Sequence, residues 1–369
     1  MHLAYNISSS DLGYPLLELE KSSISILELF PAEFSRDISH KLTAWGLFPF
    51  NTTKIGQQNL KTQLGNIELS NPLGIPSGLD KNATSIKGLF KTGISFLEVG
   101  TVTPYPQAGN DKPRLFRIAS SQELINRMGL NNHGAGVIGN KLKQWSGNGI
   151  IGLSVGYNKN SNDPFQDFLN VITECGIYAD YLALNISCPN INMDLDLSTP
   201  ENLSTLLEKI SWKQKDLGFD KPLYLKLSPD YEPTQLNEII SVSLNGGVNG
   251  FIATNSTISR PESNNPIYQE RGGLTGPYLF EISTKTLARV YAQTKGSVPI
   301  IGVGGISTAE DAYKKIKAGA SALQLYTAIC YQGTGLIKKI CSDLSLLIEK
   351  DGFSNINEAV GIEHKNWLT

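Results

Sequence analysis

Lys226 stands inside an apolar run, Leu223-Tyr224-Leu225-Lys226-Leu227. A charge carried into a core by such a strand is costly unless something compensates it. The pattern marks Lys226 as a lysine aimed at an anionic group, and Lys81, just after Gly78, reads the same way. A second kind of chemistry is suggested by Gly302-Val303-Gly304-Gly305-Ile306-Ser307. Glycines free backbone N–H groups to approach a phosphate, helped by the start of the following helix. Ser307 takes the place of the last glycine in G-x-G-x-x-G, so this turn is not the dinucleotide pattern. It suits the phosphate site of a barrel, with Tyr326-Thr327 closing the next apolar run beside it.

Eight short apolar runs must position these residues: Asn71–Gly78, Phe96–Thr101, Ile150–Gly156, Tyr181–Ser187, Leu223–Ser228, Gly250–Asn255, Pro299–Gly305 and Ala322–Thr327. Helix-period segments lie between them, among them Phe165–Cys175, Glu201–Leu217, Thr234–Leu244, Phe280–Thr294 and Ala309–Ala318. Near-continuous hydrophobic strands indicate a parallel sheet covered on its faces. Eight repeats predict an α/β fold closed into a (β/α)₈ barrel. All eight runs end in polar or glycine residues, which places Ser77, Thr101, Ser154, Asn185, Ser187, Ser228, Thr254 and Asn255 around one expected polar mouth. A single such residue would read as a helix cap; eight together outline a pocket.

Residues 56–70 are expected to form a hairpin or plug at the barrel's base. Residues 1–55 form a separate helical extension, and residues 56–369 the barrel. Within the extension a helix is predicted from Pro31 to Trp45, with Phe34, Ile38, Leu42 and Trp45 as its apolar stripe. The pattern alone favours a lid that buries this stripe on the barrel; a membrane-facing cap is the other reading.

Of the 369 residues, 40% are hydrophobic and 18% charged, enough for one large core. The net charge of −2 comes without a basic cluster, which argues against a nucleic-acid partner. The four cysteines, Cys175, Cys188, Cys330 and Cys341, show no zinc-ligand spacing, so no metal is expected. Their scatter suits a reducing compartment. No secretory signal and no apolar run long enough to cross a bilayer is evident.

The segments Ser77–Lys81, Gly100–Pro104, Gly109–Phe116, Asn126–Asn132, Asn185–Asn190, Ala253–Thr257, Gly272–Gly276 and Gly302–Ile306 resemble, in order, those of dihydroorotate dehydrogenases. The resemblance spans roughly residues 56–365. Gly109-Asn110-Asp111-Lys112-Pro113-Arg114-Leu115-Phe116, Asn126-Arg127-Met128-Gly129, the N-terminal extension and Glu358-Ala359-Val360-Gly361 are similar to class 2, the membrane-associated, quinone-reducing branch. The resemblance implies FMN in the barrel mouth, contacted by Ser77, Gly78, Lys81, Thr101, Ser154, Asn185, Lys226, Thr254, Gly276, Gly305, Tyr326 and Thr327. Dihydroorotate or orotate would meet Lys81, Asn126, Arg127, Met128, Gly129, Leu130, Asn185, Asn190, Asn255 and Ser256. Amide side chains offer a donor and an acceptor to a pyrimidine edge that needs both. The expected reaction is proton removal from C5 with hydride passing from C6 to the flavin, as a step of pyrimidine biosynthesis. Electrons would leave to a quinone through residues 1–55. A monomer is implied, peripheral to the cytoplasmic face of a bacterial inner membrane, or cytoplasmic if the extension is only a lid.

The base position of the resemblance is Cys188, where class 2 enzymes carry serine and class 1 enzymes cysteine. A free thiol titrates near pH ~8.5, far below a hydroxyl, so Cys188 is the easier base near neutrality. Its bland alternative is a buried, inert cysteine. Other departures are Ile191-Asn192-Met193-Asp194-Leu195-Asp196 in place of the family's loop, Ser154 for an asparagine, Tyr157 for a lysine and Leu130 for an aromatic residue. They leave two alternatives open: a paralogous FMN oxidoreductase of another dihydropyrimidine or cyclic amide, and a flavin-binding protein without turnover.

Overall fold

The computed structural model describes residues 24, 26–47, 55–187 and 195–368. Cys188, Asn190 and residues 191–194 of the altered loop lie outside them. The extension contributes helix α1 (Ala32–Ala44), which starts after Pro31 because proline lacks the N–H a helix interior needs. A hairpin follows, β1 (Thr62–Leu64) with β2 (Ile67–Leu69), turning at Gly65, whose φ of +62° suits glycine. Leu64 and Leu69 pack with Phe96, Tyr181, Tyr224, Ile252 and Ile301, so the hairpin plugs the N-terminal end of the barrel.

The chain then runs β3 (Leu73–Ile75), α2 (Ile86–Phe90), β4 (Phe96–Val102), β5 (Leu115–Ile118), β6 (Glu123–Asn126) and α3 (Ala135–Lys143). Next come β7 (Ile150–Val155), α4 (Pro164–Cys175), β8 (Tyr181–Leu184), α5 (Pro200–Asp216), β9 (Leu223–Leu227), α6 (Pro233–Asn245), β10 (Gly250–Ala253) and β11 (Gly273–Thr275). The rest is α7 (Leu279–Thr294), β12 (Ile300–Val303), α8 (Ala309–Lys317), β13 (Ala322–Gln324), α9 (Thr327–Gln332) and α10 (Gly335–Lys350). Strands β3, β4, β7, β8, β9, β10, β12 and β13 close in that order into a parallel (β/α)₈ barrel, β13 pairing back onto β3.

Helix starts follow their caps. Asp163 accepts from the N–H of Gln166, Thr199 from that of Asn202, and Thr308 with Asp311 forms a reciprocal capping box. The main core lies between strands and helices and joins residues such as Leu97, Leu153, Leu225, Phe168 and Leu207.

Two features depart from the sequence reading. Segments after β4 and β10 pair as a three-stranded antiparallel sheet, β11-β6-β5, at the mouth of the barrel. Helix α1 sits on the barrel but buries Ser35 and Thr43, leaving Phe34 49% and Trp45 71% exposed. Thr43 fits there because it meets Gly88: a Cβ on Gly88 would fall 2.3 Å from its carbonyl oxygen.

Candidate functional site

The C-terminal mouth of the barrel holds a cavity of about 1300 Å³, its opening included. Its floor is charged. Strand β9 aims Lys226 inward, where Nζ lies 3.5 Å from Glu98 Oε1 on β4 and donates to Ser77 Oγ at 3.2 Å. Glu98 is fully buried; Gln324 Nε2 donates to its other oxygen at 3.1 Å, and the Ser77 N–H to Oε1 at 3.3 Å. The lysine is thus balanced by a carboxylate that the sequence reading missed. Glu98 carried the same signal as Lys226, a charge inside an apolar strand, Phe96-Leu97-Glu98-Val99.

Along one wall runs a relay of polar side chains. Thr101 Oγ1 lies 2.9 Å from Ser154 Oγ and accepts from Asn185 Nδ2 at 2.9 Å. Asn255 Nδ2 donates to Asn185 Oδ1 and to the Ser187 carbonyl, each at 3.2 Å. Buried amides linked in this way hold one another's orientation, so each presents a fixed donor or acceptor to the cavity. Thr101, Asn185, Thr254, Asn255 and Ser256 line the cavity. Ser154 does not: it is fully buried behind Thr101.

Ser77, Gly78 and Lys81 line the cavity from the end of β3. Asn126, Met128, Gly129 and Leu130 line it from the end of β6. Arg127, expected at the substrate, faces the other way. Its Nη1 lies 2.7 Å from Glu270 Oε2, and its guanidinium sits 4.5 Å over the Phe116 ring. In an extended segment, successive side chains point to opposite sides, so Asn126 and Met128 face the cavity and Arg127 cannot.

The far end is built from backbone. Gly276, Gly304, Gly305, Tyr326 and Thr327 line it. Gly304 and Gly305 have φ of +113° and +73°, conformations that favour glycine. A Cβ on Gly305 would fall 2.5 Å from Phe280 Cβ, and one on Gly276 2.8 Å from the Gln122 carbonyl oxygen. This bare turn, beside the start of α7, is shaped for a group such as a phosphate. Gln324 Oε1, buried among the lining residues, has no hydrogen-bond partner among the described residues and so awaits a donor. An anion-tolerant end, a lysine at the floor and an unmet acceptor fit a phosphorylated, hydrogen-bonding cofactor such as FMN.

The lid adds Arg36 of α1, which also lines the cavity; its Nη1 is 3.8 Å from Met128 Sδ. Polar contacts help seat the lid. Glu33 Oε1 accepts from Arg114 Nη2 at 2.8 Å, and His40 Nε2 lies 3.4 Å from Asp80 Oδ1. Burial would raise both carboxyls. The Arg114 guanidinium overrides this for Glu33, and hydrogen bonds from His40 and the Thr84 and Ser85 N–H groups override it for Asp80, so both sit below the ordinary range. Nothing in the spacing of residues 31–45 pointed to Arg36, because only tertiary docking turns it to the mouth. No described helix is long and apolar enough to cross a membrane.

Residues 59–348 match the family model described as dihydroorotate dehydrogenase. A dihydroorotate dehydrogenase (quinone) of Cereibacter sphaeroides is 41% identical, covering 95% of this chain and 99% of that one. The mitochondrial dihydroorotate dehydrogenase (quinone) of Mus musculus is 36% identical, covering 92% and 89%. Among solved structures, ligand-free DHODH from Eimeria tenella superposes with a TM-score of 0.86 at 33% identity, covering 90% of this chain and 99% of that one. The ferulenol complex of the same enzyme gives a TM-score of 0.86 at 32% identity, covering 90% and 96%. Sequence and barrel agree on one family: this chain is an oxidoreductase that belongs to the dihydroorotate dehydrogenases, on their quinone-linked branch.

Proposed function

We propose that the chain oxidises dihydroorotate to orotate in pyrimidine biosynthesis, using FMN and passing electrons to a quinone. The observation that carries this reading is the gathering of Asn126, Asn185, Asn255 and Lys81 over a floor made by Lys226 and Glu98. The amides offer donors and acceptors to a pyrimidine edge, and Lys81 offers a positive charge to the carboxylate. Asn190 and Ser256 belong to the same proposed substrate set. FMN, when bound, would accept the hydride leaving C6 of the substrate. Gly276, Gly304, Gly305, Tyr326 and Thr327 would hold its phosphate. Ser77, Gly78, Thr101 and Thr254 would line its ring, with Ser154 acting from behind through Thr101. Lys226 would favour negative charge on that ring, because its ammonium-bearing side chain lines the cavity floor.

Cys188 is the proposed base: its thiolate takes the C5 proton as the C5–C6 double bond forms. Replacing it by serine should slow flavin reduction at neutral pH and move the pH–rate profile upward; an unchanged profile would remove Cys188 from this role. Anaerobic mixing with dihydroorotate tests the whole reading. Bleaching of the flavin band, followed by reoxidation with a quinone, supports it. Bound FMN that stays oxidised would refute it and favour a paralogue acting on another cyclic amide, a reading supported by Leu130 at the substrate wall.

For the acceptor side, Leu29, Phe30, Phe34, Trp45 and Leu47 are exposed on the lid segment that carries Arg36, with Phe30 and Phe34 in contact. Exposed apolar side chains of this kind favour a lipid surface, where quinones dissolve. The proposed enzyme is a monomer peripheral to a membrane.

A further inference from the structure

Helix α8 ends in Lys314, Lys315 and Lys317, and these lysines differ sharply. Lys317 reaches Glu363, with Nζ 2.7 Å from Oε1. Lys315 is fully buried. Its Nζ donates to Ser283 Oγ at 2.8 Å and Thr284 Oγ1 at 3.0 Å, and lies 5.0 Å from the Phe280 ring centroid. All three partners belong to the first turns of α7. Among the described residues no carboxylate lies within ion-pair distance of this ammonium.

Asp311, one turn earlier on α8, is the one ionisable group whose field bears on it among the described residues. That carboxylate is already occupied, accepting from Ser307 N, Ser307 Oγ and Thr308 N at 3.0, 2.8 and 3.1 Å. Its neighbours among the described residues are otherwise two hydroxyls and an aromatic ring, none of them ionised. Burial accordingly pushes its pKa down to about 7. As a purely structural residue the lysine is a poor choice, because an apolar side chain of similar length would fill the space without a buried charge.

What its partners also touch explains the charge. A Cβ on Gly304 would fall 2.7 Å from Ser283 Oγ, and one on Gly305 would fall 2.6 Å from Phe280 N. Ser283 Oγ is also 3.3 Å from the Gly304 carbonyl and 2.7 Å from that of Leu279. Ser283 and Phe280 therefore meet both the Gly304-Gly305 turn and the Lys315 ammonium. We propose that Lys315 is a positioning residue for the cofactor phosphate, supplying through α7 the positive charge that the glycine turn cannot carry. This rests on the FMN reading above.

Linkage gives the sign. A phosphate dianion in the turn raises the lysine pKa, so binding takes up a proton above pH about 7. Affinity is then highest at and below that pH and falls as pH rises towards the lysine pKa of the complex. A shift of one unit corresponds to about tenfold in affinity. The window avoids the phosphate's own second ionisation near pH ~6.

The test titrates FMN, and riboflavin as the phosphate-free probe, into the full chain freed of flavin. Calorimetry in buffers of different ionisation heat reads proton uptake between pH 7 and 9. The wild type should take up a fraction of a proton per FMN at pH 8, and its FMN affinity should fall about tenfold across the window. Lys315→Met should bind FMN about tenfold more weakly at pH 7, with no pH dependence and no uptake, while riboflavin binding matches the wild type. Wild-type FMN binding without proton uptake overturns the proposal independently of any variant. So does a Lys315→Met protein that loses riboflavin and FMN alike, since that loss would be structural. Failure of the wild type to bind FMN at all overturns the cofactor reading and this inference with it.

Discussion

Breaking the floor pair tests how the site is held. Lys226 and Glu98 are both almost fully shielded from solvent, and their charged atoms are 3.5 Å apart. At an effective dielectric of about 20, that separation corresponds to an attraction of about 5 kcal/mol, offset by the desolvation of both groups. Removing one partner strands the other charge in the barrel. Glu98→Leu or Lys226→Met alone should therefore lower unfolding stability by about 3–5 kcal/mol. The double variant restores an apolar interior and should be no worse than either single one, a coupling of about 3 kcal/mol. Urea unfolding of the flavin-free chain, comparing midpoints at equal slope, measures the cycle. Single effects that simply add, to within about 0.5 kcal/mol, would show that the two groups do not stabilise each other.

Gly305→Ala should abolish FMN retention while leaving helical circular dichroism intact, because a methyl there meets Phe280 Cβ at 2.5 Å and φ is +73°. The lid should detach in acid. Asp80 and Glu33 both have carboxyls held below their ordinary values of 3.8 and 4.5, so their contribution is present above those values and lost as pH falls through the lower folded ones. Trp45 fluorescence should report a transition below pH ~4 that Asp80→Asn with Glu33→Gln flattens. Phe34→Ser with Trp45→Ser should cut co-flotation with anionic lipid vesicles several-fold without altering flavin reduction by substrate; unchanged flotation would dismiss the apolar face as a lipid contact.

The barrel was legible because its signal is local. Each strand, buried on both faces, is written as an apolar run, and each ends in polar or glycine residues that the parallel topology must bring to one mouth. Lys226 and the Gly304-Gly305 turn stood out for the same reason, each being chemically out of place in its own segment. The sequence alone thus determined the eight repeats, the end of the barrel where the site lies, and much of the polar set around it.

Partnership and direction were decided by the tertiary structure. Lys226 finds Glu98 across the barrel interior, and β6 pairs with β11 over a separation that no local period records. Arg127 turns to Glu270 and Ser154 withdraws behind Thr101, because side-chain direction follows backbone path and packing as well as residue type. Helix α1 had a readable period but not a readable orientation. The Glu33–Arg114 ion pair, the His40–Asp80 contact and the Thr43–Gly88 contact help set which face it buries, with Arg36 at the mouth and Phe34 and Trp45 exposed.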